Sequence, residues 1–461
     1  MEKRGASLRT FIPGLLPLLL PVLVEQYFVG IVNSANTIMV TRLGSEEIAA
    51  IASVGSFLNM VAALFIALSV GGTILAAQYL GRGQRDRVNQ VAALGILITF
   101  LLATVVTLVI YTFRSAIING LFGAGDPAVL RFSHQYYSIV VFYYIPYAVN
   151  LMAFGVLRGA GDVRTPMKIS ILMNVIHVVA NYLLVYGVNF SFLGQQVQLN
   201  GLGVSGSAIS LLISQYSGVV IVLFVLVRGS RAIRLNFASD FRFERRIIGG
   251  IFKIGLPSGI EQIILNFGFL LIQTFIITLP TAAIAAHNII NSVVFMINAP
   301  ALAIATITST VIGRRVGEES YDKAKQELGF LELASVLCFL VSWIVYIPGS
   351  RFFVGLYSAD SEAIRLALPL VIAYLICATF TWPGAYQLPN GLRAAGDVNF
   401  PSVVSIVCIC LRVLTAYICL IQLNMGLNAL WIICYVDIAI RALLQGVRRR
   451  GDRWLQNRMI D

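Results

Sequence analysis

The chain has 461 residues, of which 58% are hydrophobic and 12% charged, with a formal net charge of +12 and a mean hydropathy of +0.85. A soluble domain carries roughly 25% charged residues, so this much apolar surface excludes a water-soluble fold and makes lipid the solvent. The positive balance alone would suggest nucleic acid, but its distribution along the chain excludes that reading.

In chain order, the sequence predicts twelve apolar helices over residues 12–40, 47–78, 91–113, 134–157, 167–188, 203–228, 248–278, 283–312, 327–348, 363–391, 400–421 and 427–446. Most exceed the ~20 residues that cross a bilayer, and Pro17, Pro21, Pro146, Pro257, Pro300, Pro383 and Pro389 mark expected kinks within them. The first run is too long for a signal peptide and carries Glu25. Of the 33 Lys and Arg, 26 fall at the termini or in the loops after helices 2, 4, 6, 8 and 10. Only five (Arg42, Arg114, Arg131, Arg351, Arg365) fall on the other side. That asymmetry predicts a multi-pass protein of the plasma membrane with both termini cytoplasmic, and turns the basic excess into an orientation signal.

One segment is written twice. Residues 21–81 return as 257–317 at an offset of 236 without a gap: Pro21 and Pro257, Glu25-Gln26 and Glu261-Gln262, Leu43 and Leu279, Ala63 and Ala299, Gly81 and Gly317. Arg158, Ala160-Gly161-Asp162-Val163 and Pro166 return as Arg393, Ala395-Gly396-Asp397-Val398 and Pro401. Six helices per copy is an even number, so both copies insert the same way up. The expected fold is therefore an all-α integral membrane protein, its twelve transmembrane helices forming two six-helix lobes related by a pseudo-twofold along the membrane normal. The expected division is an N-lobe over 1–227, an arginine-rich cytoplasmic linker over 228–246 and a C-lobe over 247–461. A chain with two lobes can build a cleft alone, so the expected state is a monomer in contact with membrane lipid.

Three acids sit within spans: Glu25, Glu261 and Asp437. Ionisable groups at that depth are costly and are functional candidates by default. Arg412 and Asp437 lie at matching distances from the hairpin turn near Asn424, and Arg441 is one turn from Asp437, so these three are expected to form a structural ion pair. Glu25 and Glu261 have no basic residue in their own helices at similar depth. Two readings stay open for each: a coupling group that exchanges protons or holds Na+, or an acceptor for donors freed by the proline four residues earlier.

Neutral polar residues make a further pattern. Asn174, His177 and Asn181 share one face of helix 5, with Asn33 and Asn36 on helix 1, Asn150 on helix 4 and Gln262 and Asn266 on helix 7. They either line a wet chamber or join the helices by hydrogen bonds. His177 is a candidate for ion coupling. Aromatics crowd helices 4 and 10; they form membrane-interface belts or packing, or, mid-span and facing a cleft, bind flat organic cations, and Tyr374 is a candidate for the chamber. The six cysteines fall inside apolar runs and form neither a metal-ligand set nor a disulfide framework. No phosphate-binding Gly-x-x-x-x-Gly-Lys-Ser/Thr loop is present, which argues against an ATP-driven pump; no metal, cofactor or enzymatic activity is expected.

Asn36-Thr37-Ile38-Met39-Val40 followed by Arg42-Leu43-Gly44, Gln78-Tyr79-Leu80-Gly81-Arg82-Gly83, Gly255-Leu256-Pro257 and the twin Gly-Asp-Val…Pro loops resemble the multidrug and toxic compound extrusion (MATE) family, over essentially the whole chain. The resemblance implies two lobes in a V around a cleft of alternating access. It also implies export of amphipathic, often cationic, organic compounds by antiport against H+ or Na+. The sequence departs from the family's pattern at three places. Asn36 stands where many bacterial members have Asp, and cannot carry its proton. Leu265 stands where one branch has a coupling Glu on helix 7, a role carried here to Glu261 one turn earlier. Helix 10 has no acid between Arg365 and Arg393. The alternative function is a lipid-linked sugar or polyisoprenoid flippase of the same superfamily, which would need a cationic cleft.

Overall fold

The computed structural model describes residues 8–40, 43–122, 126–192, 195–230, 232–236, 239–357 and 360–455; the side chains of 8–12, 33–35, 37–38, 40, 121–122, 188–192 and 195–199 are outside that description. The side chain of Asn33, the residues Arg42 and Arg231 of the charge tally, and both chain ends therefore fall outside it.

Twelve helices among the described residues are long and apolar enough to cross a membrane. The helices are α1 (Leu8–Val40), α2 (Ser45–Gly81), α3 (Arg85–Thr112), α4 (Arg114–Phe122), α5 (Pro127–Val140), α6 (Tyr144–Gly159), α7 (Arg164–Tyr186), α8 (Gly203–Arg228), α9 (Arg245–Ile276), α10 (Thr281–Gly317), α11 (Tyr321–Tyr346), α12 (Ser350–Gly355), α13 (Ser361–Trp382), α14 (Leu388–Ala394), α15 (Asn399–Tyr417) and α16 (Leu427–Arg450), of which α4 and α12 are short and lie between spans. A two-stranded antiparallel hairpin, β1 (Gly187–Phe192) with β2 (Gln195–Asn200), joins α7 to α8. It is a small departure from an all-helical chain, and its cause is local. Gly187 ends α7 at φ 73°, and Val188, Phe190 and Phe192 alternate with polar residues at the strand period of two.

The helices present apolar side chains outward. Val220, Phe224, Ile344, Phe380 and Leu443 are each more than half exposed, the arrangement expected when lipid rather than water surrounds the fold. Asp126 and Asp360 cap α5 and α13 by accepting from the backbone N–H of Ala128 (2.7 Å) and Glu362 (2.9 Å). The span over Ser361–Ala394 runs through a π-helical turn at Pro383–Gln387. Pro389 lacks an N–H and crowds the carbonyl of Ala385 four residues earlier, and a locally widened turn relieves both defects.

The chain divides into two compact units, one of Met1–Tyr27, Ile74–Gln84 and Lys253–Asp461, the other of Phe28–Thr73 and Arg85–Phe252. In the second unit the core gathers Val54, Leu58, Phe65, Tyr136, Tyr137 and Tyr144. Helix α8 approaches α7 closely there: a Cβ on Gly206 would meet the carbonyl oxygen of Leu184. In the first unit the core runs through Ile272, Ile290, Phe339, Tyr374, Trp382 and Trp431.

The duplicated motifs have matching backbone roles. Gly161 N–H donates to Arg158 O and Asp162 N–H to Leu157 O, both at 2.9 Å. Gly396 N–H donates to Arg393 O at 2.9 Å and Asp397 N–H to Leu392 O at 3.0 Å. Each Gly closes a helix at positive φ, 85° at Gly161 and 99° at Gly396. The Asp of each turn anchors a helix further along the chain. Asp162 accepts from Thr165 N–H (3.1 Å) and hydroxyl (2.8 Å), and Asp397 from Arg448 Nε (2.6 Å). Gly396→Ala forces a side chain into that left-handed turn and is expected to cost about 1 kcal/mol, read as a lower unfolding midpoint of the purified protein.

The Gln-Tyr-Leu-Gly stretch at the end of α2 is explained in the first unit. Buried Gln78 donates through Nε2 to the carbonyl of Ala394 at 2.8 Å. A Cβ on Gly81 would fall on the carbonyl oxygen of Arg314, and one on its repeat mate Gly317 on that of Gln78. Two helix ends, one from each copy of the repeat, thus meet backbone against backbone, which only glycine permits.

Candidate functional site

Within the second unit, α1, α7 and α8 bring several expected residues together. Asn36 Nδ2 lies 3.2 Å from His177 Nδ1, and Asn36 Oδ1 is buried without a hydrogen-bond partner. One turn along α7, buried Asn181 accepts from Ser210 Oγ at 3.3 Å and directs Nδ2 at Met39 Sδ, 3.8 Å away. Asn150, on α6, donates to the carbonyl and the side-chain oxygen of Gln215 at 2.9 and 3.0 Å. Asn174 instead donates back to Ser170 O of its own helix at 2.8 Å. The row is thus Asn36–His177 followed by Asn181–Ser210, with Asn150 in a separate link and Asn174 outside both.

The first unit holds both acids of the duplicated segment, and both are buried: Glu25 is 6% exposed and Glu261 3%. Glu261 nonetheless has a cationic partner, from outside its own helix. Arg393 Nη2 donates to its Oε2 at 2.6 Å and Ser402 Oγ donates to the same atom at 2.7 Å, while Arg393 Nη1 also reaches Asn390 Oδ1 at 3.3 Å. The partner comes from α14, 132 residues along the chain, and was invisible to a reading confined to Glu261's own helix. Releasing this carboxylate to bind a cation would leave a buried guanidinium uncompensated. Glu261 is therefore committed to an ion pair, and the coupling role carried to it by the resemblance does not fit this geometry.

Gln262 and Asn266, on the same helix, are half-buried, and their side chains make no hydrogen bond among the described residues. Leu265 between them is packed into the core. Tyr374 exchanges hydrogen bonds with Asn298 at 2.8 and 3.0 Å, and its ring sits edge-on to Trp431, with centroids 6.2 Å apart. Trp431 also stands 6.1 Å from the Tyr435 ring and 5.7 Å from that of His287, and His287 Nε2 lies 2.8 Å from Asn291 Nδ2. Sequence reasoning did not single out Trp431, Tyr435 or Arg393. The first two lie one turn apart on one face of α16, and Arg393 stands in a motif written twice.

Arg412, Asp437 and Arg441 come together. Arg441 Nε lies 3.2 Å from Asp437 Oδ1 and Arg412 Nη1 3.8 Å from Oδ2. The Tyr386 ring lies 6.0 Å from Arg441 and the Phe269 ring 5.5 Å from Arg412, so the charges rest against aromatic faces. No group of three or more His, Cys, Asp or Glu suited to a metal ion occurs among the described residues.

Twelve bilayer-length helices, a duplicated half and polar rows buried inside each unit define a multi-span membrane transporter built from two repeats. A family model described as MatE matches residues 21–183 and again 257–418, two stretches that begin where the two copies of the internal repeat begin, and the chain belongs to that family, the multidrug and toxic compound extrusion transporters. It is 24% identical over 451 residues to the uncharacterized transporter YisQ of Bacillus subtilis, covering 95% of this chain and 94% of that one. It is 22% identical over 459 residues to the probable multidrug resistance protein NorM of Thermotoga maritima, covering 95% and 92%. Among solved structures, an outward-facing multidrug resistance MATE family transporter of the MOP superfamily superposes with a TM-score of 0.84 at 19% identity, covering 95% of this chain and 94% of that one. That likeness establishes the twelve-helix, two-lobe fold.

Proposed function

We propose that this chain is a secondary active exporter that moves amphipathic organic compounds, cationic ones among them, out of the cell by antiport against H+ or Na+. The observation that carries the reading is the family match over both repeats, supported by relatives named as probable multidrug resistance proteins. The 26-to-5 split of basic residues supports a plasma-membrane location with both termini cytoplasmic, and the lobe boundaries proposed are 1–227 and 247–461. The flippase alternative is not favoured, because the deep arginines Arg412 and Arg441 are gathered on Asp437.

In this mechanism, cation binding and substrate binding bias the same alternating-access equilibrium in opposite directions, which is the linkage antiport requires. We assign the coupling carboxylate to Glu25, which is buried at mid-span. Asn36 and His177 form the polar row of the first repeat, and Asn150, Asn181, Gln262, Asn266 and Tyr374 are the proposed solute contacts. The protein works as a monomer without a cofactor.

The test is efflux of a fluorescent amphipathic cation from proteoliposomes, with a pH gradient or a Na+ gradient imposed one at a time. Wild type is expected to respond to one of the two gradients. Glu25→Gln is expected to abolish that response while solute binding persists. Full gradient-driven efflux in Glu25→Gln would move the coupling site elsewhere, and no response of wild type to either gradient would overturn antiport itself.

A further inference from the structure

The cluster around Asp437 carries more positive charge than negative. Two guanidiniums, Arg412 of α15 and Arg441 of α16, face one carboxylate, and among the described residues no second acid lies within ion-pair distance of either. Asp437 and Arg441 are buried, with side-chain exposures of 4% and 2%, and Arg412 is mostly buried at 12%. A net charge of +1 at this depth is costly unless something balances it. The Phe269 and Tyr386 faces cushion the guanidiniums but carry no negative charge.

The hydrogen-bond inventory points the same way. Arg441 Nη2 and Arg412 Nε are buried donors without an acceptor, although buried donors in folded proteins are almost always satisfied. Asp437 does not use them: its Oδ1 takes Arg441 Nε, and Oδ2 has no hydrogen-bond partner. The arrangement holds one surplus positive charge and two unpartnered guanidinium N–H groups on adjacent helices.

We infer that the Arg412–Asp437–Arg441 cluster binds one small monovalent anion, either a halide such as chloride or the single carboxylate group of an organic solute. One negative charge restores neutrality, and charge-assisted hydrogen bonds from the two guanidiniums satisfy the unpartnered donors. A divalent anion would overshoot to a net −1. A small ion suits the surroundings, because Asp437 and Arg441 are themselves almost fully buried.

The site is tested by binding, without transport, and so stands apart from the exporter reading. The protein in lipid nanodiscs is unfolded thermally as chloride replaces camphorsulfonate at constant pH and ionic strength; camphorsulfonate carries no carboxylate and is too bulky to enter between packed helices. Wild type is expected to show a saturable rise in its unfolding midpoint with chloride. Arg412→Gln leaves the neutral Asp437–Arg441 pair and should weaken the apparent affinity on the order of tenfold or more, since a charge-assisted bond is lost. Asp437→Asn leaves two guanidiniums and should bind more tightly. The double variant Arg412→Gln/Asp437→Asn returns to a single surplus charge and should recover binding. Should Arg412→Gln fail to fold, Asp437→Asn against wild type decides the matter. Acetate identifies the source: a saturable acetate effect that competes with chloride marks a carboxylate site, and a response to chloride alone marks a halide site. A midpoint indifferent to the anion, or the same anion dependence in wild type and Asp437→Asn, would overturn the inference.

Discussion

Arg393→Gln is expected to be among the most damaging single substitutions in the chain, lowering the unfolding free energy by about 3 kcal/mol or more. The reason is what it leaves behind. Glu261 and Arg393 have side chains only 4% and 9% exposed, with 2.6 Å between Oε2 and Nη2. Removing the guanidinium strands a carboxylate in a low-dielectric interior with Ser402 as its remaining donor, and frees Asn390 from its contact with Arg393. The double variant Glu261→Gln/Arg393→Gln removes both charges and should unfold at a higher denaturant concentration than Arg393→Gln alone, because two neutral amides can share a hydrogen bond. A double variant no more stable than the single one would show that the guanidinium acts through packing rather than by compensating Glu261.

Gly317→Val is expected to be as severe, costing about 3 kcal/mol or more, at the upper end of overpacking effects. A Cβ at Gly317 would occupy the position of the Gln78 carbonyl oxygen, a backbone atom that no side-chain rotation can move aside. Shifting α2 away would also pull Gln78 Nε2 off the Ala394 carbonyl, so one added side chain attacks two contacts. Gly81→Val should behave alike, since its Cβ would meet the Arg314 carbonyl. Gly14→Val is the control, because nothing lies within 4 Å of that position. Yield of monodisperse protein and unfolding midpoint are the measurements. A Gly317→Val protein matching the Gly14→Val control in both would refute the close approach.

The membrane class, the twelve spans and the duplication were legible because each rests on a signal carried by many residues: bilayer-length apolar runs, and one motif set repeated at a constant offset. Helix ends were less legible. α10 continues to Gly317 and α16 to Arg450, past the apolar limits at 312 and 446, because charged residues end a membrane span without ending a helix. The π-helical turn at Pro383–Gln387 and the β1–β2 hairpin depend on local backbone geometry that hydropathy does not encode.

The candidate sites divide in the same way. The Arg412–Asp437–Arg441 grouping followed from a tight hairpin and helical spacing, where chain proximity fixes depth. The Asn36–His177 contact joins residues 141 positions apart, and the Glu261–Arg393 pair is almost as remote. No periodicity reports such pairings, although Glu261 and Arg393 both stand in segments that the chain repeats.

The reciprocal glycines also speak to ancestry. Gly81 and Gly317 are the same position of one ancient segment, and each lies against the helix that carries the other. A forerunner with a single copy of that segment would have made this contact only by associating with itself across a twofold axis. Fusing two such copies into one chain would tether that pair, with the glycine needed on both sides of the contact.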